Sequence, residues 1–558
     1  MIDQEETTMN QKHEIQIYDI DFDKEINDIV KEIDESDESR MITKEDWTKK
    51  CISKMTKKEF SNIVIHQQKI IPEMAKIVIE NQDAFAQNME EIGEVEGADF
   101  PIEIKPGSRP FSTQKYNLSK QAEDEIFKQT KVLLEKGLVE LSASKWQAAC
   151  IAVPKKDGTW RICQDWRPLN ARTVPIQHTF PRIHQVLSKL GQYRYYITLD
   201  IFSGYYHIKI KESDRNYFAY IVDGIGQIRP TRMFFGAMNA PAWFQKTMEK
   251  ILLSVLFEGW INIYIDDITI GANTIQEAQQ RLEKVITLLK EAGMKVKLSK
   301  CQFMKPEVEI LGWIISNKGK RIIPKRIRAI NDWPELTKIP SFLGIVNYLI
   351  STIPHCAEYT EKIRKAKKNN DPKDNTLVTD QQTIQQAKQA WKQLVKEVTS
   401  ERIMAIPEWD KPMEIYTDAS DIAIGATLQQ EQKIIEFFSQ KLKTNQLKWW
   451  TIHKEAKAIE QAMEKFYYYL KPYQQGGAMI KLHCDNEALV QILNKQKQPE
   501  NKQIAACLAQ IITMNIDVIY IKGKNNVIAD HLSRSIKTLG KRPSSTKGKF
   551  KNKKLKMF

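Results

Sequence analysis

Apolar positions recur at two spacings along this chain, and the changes of spacing mark out its elements. From 147 to 235, short β-prone runs alternate with turns: AACIAVP, TWRICQ, YRYYITLDI and YHIKI. Helical spacing brackets them. Tyr116 to Gly137 predicts an amphipathic helix with Ile126, Val132, Leu133 and Leu134 on its apolar side, NAPAWFQKTMEKILLSVLFEG predicts one continuous helix, and Ile275 to Ala292 another. INIYIDDITIGA reads as a β-hairpin, and KVKLSKCQF with VEILGWIIS as a pair of strands. Residues 41–100 are mixed and helical in part, as in PEMAKIVIENQDAF, and Pro101 to Pro110 is extended. Helices and strands interleave without a regular βαβ alternation, which predicts an α+β architecture.

Residues 361–385 are polar and rich in Asn, Asp and Lys, the composition of an exposed connection. A second block starts near Trp409. It reads as three strands (MEIYTDAS, AIGATLQQ, KIIEFFSQ), a long helix from His453 to Leu470, a strand (MIKLHCD), a helix, a strand (DVIYIKG) and a last helix. That order predicts a compact mixed-sheet domain.

Charge changes the picture more than composition does. The 558 residues carry a net +14, yet residues 1–40 hold fourteen Asp/Glu against four Lys/Arg. The rest of the chain is therefore about +24, and a basic body of this kind suits a polyanionic partner. The last eighteen residues, KRPSSTKGKFKNKKLKMF, hold eight Lys/Arg and no acid. Seven scattered cysteines form no Cys-x-x-Cys pair, which argues against a disulfide framework or structural zinc and for a reducing, intracellular compartment. No run approaches a bilayer span, so no membrane partner is expected.

Two groups of carboxylates carry candidate chemistry. Asp200 ends YYITLD, and Asp266 and Asp267 stand inside IYIDDITI. Neighbours in a strand face opposite ways, so a buried pair of acids would strand one charge inside. A tight turn at the pair instead presents both at one sheet edge, where Asp200 completes a three-carboxylate site for two Mg2+ ions. The second group is Asp418 at the end of MEIYTD, Glu455 on the long helix, Asp485 at the end of MIKLHCD and Asp530 in VIADHLSR. Four acids brought together would repel strongly unless cations neutralise them.

The text around the first group resembles the reverse transcriptases of gypsy-type long-terminal-repeat retrotransposons and plant pararetroviruses. VPKKDGTWRICQDWRPLNART, LDIFSGYYHIKI, FFGAMNAPAWFQ, YIDDI, ILGWIIS and SFLGIVNYL stand in that family's order. YTDAS, HKEAKAI, HCDNEALV and KGKNNVIADHLSR resemble its ribonuclease H domain, and together the likeness spans roughly 95–535. The resemblance implies a right-hand polymerase of fingers, palm and thumb, then a connection, then a ribonuclease H-like α/β domain. The division it suggests is an acidic arm at 1–40, a helical extension at 41–100, fingers and palm at 101–275, and the remaining palm hairpin and thumb at 276–340. A connection at 341–408, the ribonuclease H domain at 409–536 and a basic tail at 537–558 complete it.

The implied activity is RNA- and DNA-directed DNA synthesis with cleavage of the RNA strand of RNA–DNA hybrids. A catalytically inactive, nucleic-acid-binding descendant is the alternative. The implied partners are an RNA template, a DNA primer, the hybrid and deoxynucleoside triphosphates. Each group of acids would take two Mg2+, or Mn2+ in their place, and the site of action would be a cytoplasmic particle or the nucleus. By position, Arg161 with Lys155 or Lys156 would grip the triphosphate. Tyr205 would lie under the deoxyribose, Phe235 and Gly236 would line the same pocket, and Leu311, Gly312 and Trp313 would hold the primer. Departures stand at Met233-Phe234, where the family has Leu-Pro, and at Leu349-Ile350-Ser351, where it has Tyr and two Arg. Ile521 stands where cellular ribonucleases H have a histidine loop. Protease and integrase motifs are missing, which suggests a product or fragment of a larger polyprotein. If the basic tail touches phosphates, removing residues 541–558 weakens binding to any template at low salt and flattens the dependence on salt without changing sequence preference; a binding titration across salt concentrations measures this.

Overall fold

The computed structural model describes residues 51–522, except 69, 155–159, 355, 370–375, 401, 422, 476–478, 495–500 and 513–514. The acidic arm, the basic tail and the last predicted helix lie outside the described residues. The chain forms two compact units that divide near residues 311–318.

The first unit is built on a four-stranded sheet. Its helices and strands include α1 (Pro72–Glu80), α2 (Lys120–Glu135), β1 (Cys150–Pro154), β2 (Trp160–Gln164), α3 (Arg167–Arg172), β3 (Tyr195–Asp200), α4 (Ala240–Ile251), β4 (Ile261–Tyr264), β5 (Asp267–Ala272), α5 (Ile275–Glu291) and β6 (Gln302–Lys305). The sheet runs β4-β5-β3-β6. β5 is buried along nearly its whole length because helices cover it, and α5 turns Ala278, Leu282, Val285, Ile286 and Leu289 inward at helical spacing. β1 and β2 form a separate hairpin. Residues 84–86 run beside Val296, with Ala86 N–H donating to the Val296 carbonyl at 3.0 Å and Val296 N–H to that of Ala84 at 2.9 Å.

Several sequence expectations are corrected here. The helix expected from Tyr116 starts at Lys120, because the Ser119 hydroxyl caps it by accepting from Ala122 N–H. Its buried positions are Ala122, Ile126 and Thr130, while Val132 is exposed and Leu133 and Leu134 are only half-buried. The long helix after Asn239 breaks at Leu252, whose φ −100 and ψ 20 leave the helical region. KVKLSKCQF does not pair with VEILGWIIS. Its strand, β6, pairs with β3, and Glu307–Ile310, Trp313–Ser316 and Gly319–Ile322 form their own sheet. Period-two alternation shows which side faces the core; it does not name the partner strand.

The second unit carries α6 (Pro324–Asn331), α7 (Ile339–Tyr348), α8 (Cys356–Lys365), α9 (Gln381–Val398), β7 (Met413–Ala419), β8 (Ala423–Gln430), β9 (Lys433–Lys441), α10 (Thr451–Gln475), β10 (Ile480–Cys484), α11 (Glu487–Asn494), α12 (Lys502–Ile512) and β11 (Ile516–Tyr520). The connection expected at 361–385 is helical at both ends, since α8 extends to Lys365 and α9 begins at Gln381, capped by the Asp380 side chain. Phe342 of α7 stacks on Trp391 of α9 with ring centres 3.7 Å apart. The sheet order is β9-β8-β7-β10-β11, antiparallel from β9 to β7 and parallel from β7 to β11. α10 packs Ala456, Ile459, Met463, Phe466 and Leu470 into the core at i, i+3 and i+4 intervals. Two helices, α11 and α12, join β10 to β11 where the sequence predicts one.

Among the described residues, no helix is long and apolar enough to cross a membrane. One contact in the first unit depends on the absence of side chains. A Cβ on Gly293, at φ +76, would stand 2.1 Å from the Glu94 carbonyl oxygen, and one on Gly93 would stand 1.8 Å from the Gly293 carbonyl. Gly97 also has a positive φ, +67, but nothing lies within 4 Å of its missing Cβ. Gly293→Ala should therefore destabilise the first unit by about 2 kcal/mol or more, against about 1 kcal/mol for Gly97→Ala, which meets backbone strain alone; urea unfolding of both variants gives the comparison.

Candidate active site

The three acids of the first group meet at one end of the first unit's sheet. The antiparallel register sets Asp200, the last residue of β3, opposite Asp267, the first of β5. Tyr264 also pairs with Asp267, so Ile265 and Asp266 are the whole of the turn between β4 and β5. Such a turn needs a left-handed residue at its first position, normally glycine. Ile265 takes it, at φ 56, an unusual conformation for a β-branched side chain. Gln245 of α4 steadies it. Its Oε1 accepts from Ile265 N–H at 2.7 Å, and its Nε2 donates to the Ile263 carbonyl at 3.1 Å. Gly204 closes the other side, where a Cβ would stand 2.5 Å from Asp266 Oδ1 and 2.5 Å from Phe244 Cζ.

Electrostatics follow from this crowding. Burial first, then the charges of Asp200 and Asp267, push the Asp266 carboxyl up to about 7. Burial and Asp200 raise Asp267 as well, against the pull of Lys300. Lys300 Nζ bridges both Asp200 oxygens, at 3.0 and 2.9 Å. Asp266 Oδ1 is buried with no hydrogen-bond partner. A set of hard oxygen donors, one of them unpartnered, fits a divalent cation such as Mg2+ or Mn2+, whose charge would take over at Asp200 the role that Lys300 fills.

A pocket wall adjoins the acids. The Tyr205 ring lies 4.8 Å from that of Phe235 and 5.4 Å from that of Phe244. Burial and the Asp266 charge push its hydroxyl up to about 12. Trp166 Nε1 donates to the Phe235 carbonyl at 3.1 Å, and Asn170 Nδ2 donates to the Gly236 carbonyl at 3.0 Å. Gly236 sits at φ +92, where a Cβ would press within 3.0 Å of the Trp166 ring. The Met233-Phe234 departure is taken up in the core, for both residues are buried and Phe234 packs on Tyr206, while Phe235 stays exposed. Arg161 is exposed on β2, opposite Val153. Lys155 and Lys156 lie outside the described residues.

Leu311, Gly312 and Trp313 belong to the second unit, where they form a small cluster with α6 and α7. The Tyr348 hydroxyl donates to the Leu311 carbonyl, and its ring stacks with Trp313 at 6.1 Å. The Arg326 guanidinium caps Tyr348 at 4.1 Å and fills the space a Cβ on Gly312 would need. Leu349, the first residue of the other departure, is buried.

The second group gathers at the ends of β7 and β10. These strands are parallel with Tyr416 beside His483, so two residues further on Asp418 and Asp485 emerge side by side. Glu455 reaches them from α10, and its Oε1 accepts from Ala419 N–H at 3.1 Å. Ligand atoms of Glu455, Cys484 and Asp485 all lie within 4.8 Å of one another. Burial and then the charge of Glu455 push the Cys484 thiol up to about 12. Asp418 and Glu455 are both buried. Asp530 lies outside the described residues. Sequence reasoning missed Gln245, Lys300, Trp166, Asn170 and Cys484. Each touches one of the two sites; all but Lys300 stand inside motifs quoted in the sequence analysis, where nothing in their residue type marked them.

Residues 153–315 match the family described as reverse transcriptase (RNA-dependent DNA polymerase), and residues 384–475 match the RNase H-like domain found in reverse transcriptase. The chain is 31% identical over 433 residues to the retrovirus-related Pol polyprotein from transposon 297 of Drosophila melanogaster, covering 76% of this chain and 39% of that protein. It is 29% identical over 453 residues to that from transposon gypsy of the same fly (78% and 43%), and 28% over 499 residues to the transposon Tf2-3 polyprotein of Schizosaccharomyces pombe (88% and 36%). The chain thus spans about two fifths of the length of these relatives. Among solved structures, the foamy viral protease-reverse transcriptase dRH in complex with double-stranded DNA superposes with a TM-score of 0.71 at 22% identity, over 86% of this chain and 81% of that one. The foamy viral protease-reverse transcriptase with an RNA/DNA hybrid gives 0.67 at 20%, over 93% and 67%. These likenesses establish the fold.

The raised Asp266 has a thermodynamic consequence. Without cations the folded chain holds a proton there that the unfolded chain releases near pH 4, so this group stabilises the fold least once pH exceeds about 7. Asp266→Asn removes the penalty. At pH 8 in EDTA the variant should melt several degrees above the unaltered chain, with the gap closing toward pH 5; added Mg2+ should raise the melting temperature of the unaltered chain more than that of the variant.

Proposed function

Starting from a chain that belongs to the reverse transcriptase family, joins an RNase H-like domain to it and is related to retrotransposon Pol polyproteins, we propose that it copies RNA, and DNA, into DNA and cuts the RNA strand of the resulting hybrid. The observation that carries this reading is the unpartnered, buried Asp266 oxygen held between Asp200 and Asp267. Its substrates are an RNA template, a DNA primer and deoxynucleoside triphosphates.

Asp200, Asp266 and Asp267 would hold divalent cations, Mg2+ or Mn2+. Bound there, cations supply the charge that makes a 3′-hydroxyl nucleophilic and that offsets the leaving pyrophosphate. The residues of the chain do the rest. Gln245 fixes the backbone of the turn that carries Asp266, Gly204 leaves room for its carboxyl, and Lys300 holds Asp200 in place. Tyr205 lies beneath the sugar, where its ring leaves no space for a 2′-hydroxyl, and Phe235 and Gly236 complete that wall. Arg161, with Lys155 or Lys156, takes the phosphate oxygens in a charged fork. Leu311, Gly312 and Trp313 hold the primer strand.

In the second site Asp418, Glu455, Asp485 and Asp530 would hold the cations for hydrolysis, with Glu455 oriented by Ala419 N–H. The two sites draw on separate stretches of chain, so they should fail separately. Asp266→Asn should cut deoxynucleotide incorporation by several orders of magnitude and leave hybrid cleavage intact. Asp485→Asn should do the reverse, and Asp418→Asn should match it. Primer extension on RNA and cleavage of a labelled hybrid, run on the same preparations, decide the matter; near-normal synthesis by Asp266→Asn would falsify the polymerase reading.

A further inference from the structure

We propose that His207 is a positioning residue for the sugar of the incoming nucleotide: it clamps the turn that carries Tyr205 to the segment that leads to Lys300. The proposal rests on the polymerase reading above and goes further into the same site.

His207 is completely buried, so both ring nitrogens need protein partners. Both find backbone ones. Nδ1 lies 3.3 Å from the Gly204 carbonyl. On the other side of the ring, Lys295 N–H donates to Nε2 at 3.2 Å. A carbonyl only accepts and an amide N–H only donates, which settles the tautomer as Nδ1–H with a lone pair on Nε2. Burial keeps the ring neutral, with its pKa down at about 4.

Each contact ends on part of the nucleotide site. Ser203 holds a left-handed φ of 47, a conformation that needs outside support. Gly204 packs on Asp266 and Phe244. Tyr205 comes next in the chain. Beyond the ring, the Lys295 carbonyl accepts from Phe202 N–H at 2.8 Å, and Lys297 N–H donates to the Asp200 carbonyl at 2.8 Å. The His207 carbonyl itself accepts from Val95 N–H at 2.9 Å. The imidazole therefore sets how far the Tyr205 turn stands from the strand that bears Asp200. A glutamine can offer the same donor and acceptor, whereas a leucine fills the space and offers neither.

A residue that merely fills the core of the first unit would, when replaced, lower synthesis from both sugars alike. A positioning residue changes which sugar is accepted. The test uses the full chain with His207→Leu and His207→Gln, measuring kcat and KM for a deoxynucleotide and for its ribonucleotide on a primed RNA template. Hybrid cleavage and melting temperature are read on the same preparations. His207→Leu should raise the deoxynucleotide KM and lower the deoxy-to-ribo preference, each about tenfold, as expected for one buried partner left unsatisfied. Its kcat and its hybrid cleavage should change far less, and His207→Gln should recover most of the preference. A leucine variant with unaltered KM and sugar preference overturns the proposal, as does one that loses deoxynucleotide and ribonucleotide use in equal proportion. Nitrogen NMR of isotope-labelled histidine in the unaltered chain should report the Nδ1–H tautomer for His207, and the Nε2–H tautomer would also overturn it. Should the unaltered chain extend no primer, the polymerase reading fails, and the tautomer still decides the clamp.

Discussion

Asp200 and Asp267 face each other across an antiparallel pair, and like charges placed directly opposite repel. Asp266 adds a third carboxylate one residue away. Much of the first unit's local structure answers this repulsion. Lys300 neutralises Asp200 from the strand-side loop, and Asp266 escapes ionisation at mild pH because it is buried. Gln245 holds a backbone that isoleucine would not choose, and Gly204 allows Phe244 and the turn to close on the acid. A cluster so costly in the absence of cations is one whose repulsion a bound cation would relieve.

The second unit treats the same problem differently. Its acids are not crowded into a hairpin; they arrive from two parallel strands and a helix, and the backbone amide of Ala419 meets Glu455. Cys484 stands among them, a neutral neighbour whose thiol stays protonated because the surrounding carboxylates and burial disfavour a further negative charge. The first site depends on a strained turn, the second on strand register.

The described acids and the tyrosine were legible because each sits in a short stretch whose residue types carry meaning together, as in YIDDI or LDIFSGY. The hairpin was legible for the same reason, since paired acids in an apolar run leave a turn as the sensible geometry. Lys300 was not, because one hundred residues separate it from the carboxylate it pairs with and no spacing links them. Nor was His207, whose second backbone partner, Lys295, stands 88 residues further along the chain. The pairing of β6 with β3 was misread because alternation of apolar and polar residues is blind to strand order. At α2 the capping serine decided the start, while apolar residues such as Val132 were left outside the core.

The parallel pairing of β7 with β10 has a consequence in time. A ribosome delivers the chain from its N-terminus, and Lys300 is the last partner described for the first carboxylate cluster. β7 cannot be joined by β10 until residue 484 has emerged, long after that point. At roughly 5–20 residues per second, about 10 to 40 seconds separate the two events. The hairpin site can therefore be complete on a nascent chain that has yet to make its second sheet, and once β7 has emerged at residue 419 it waits roughly 3 to 13 seconds more for β10, presenting an unpaired edge to whatever else is nearby.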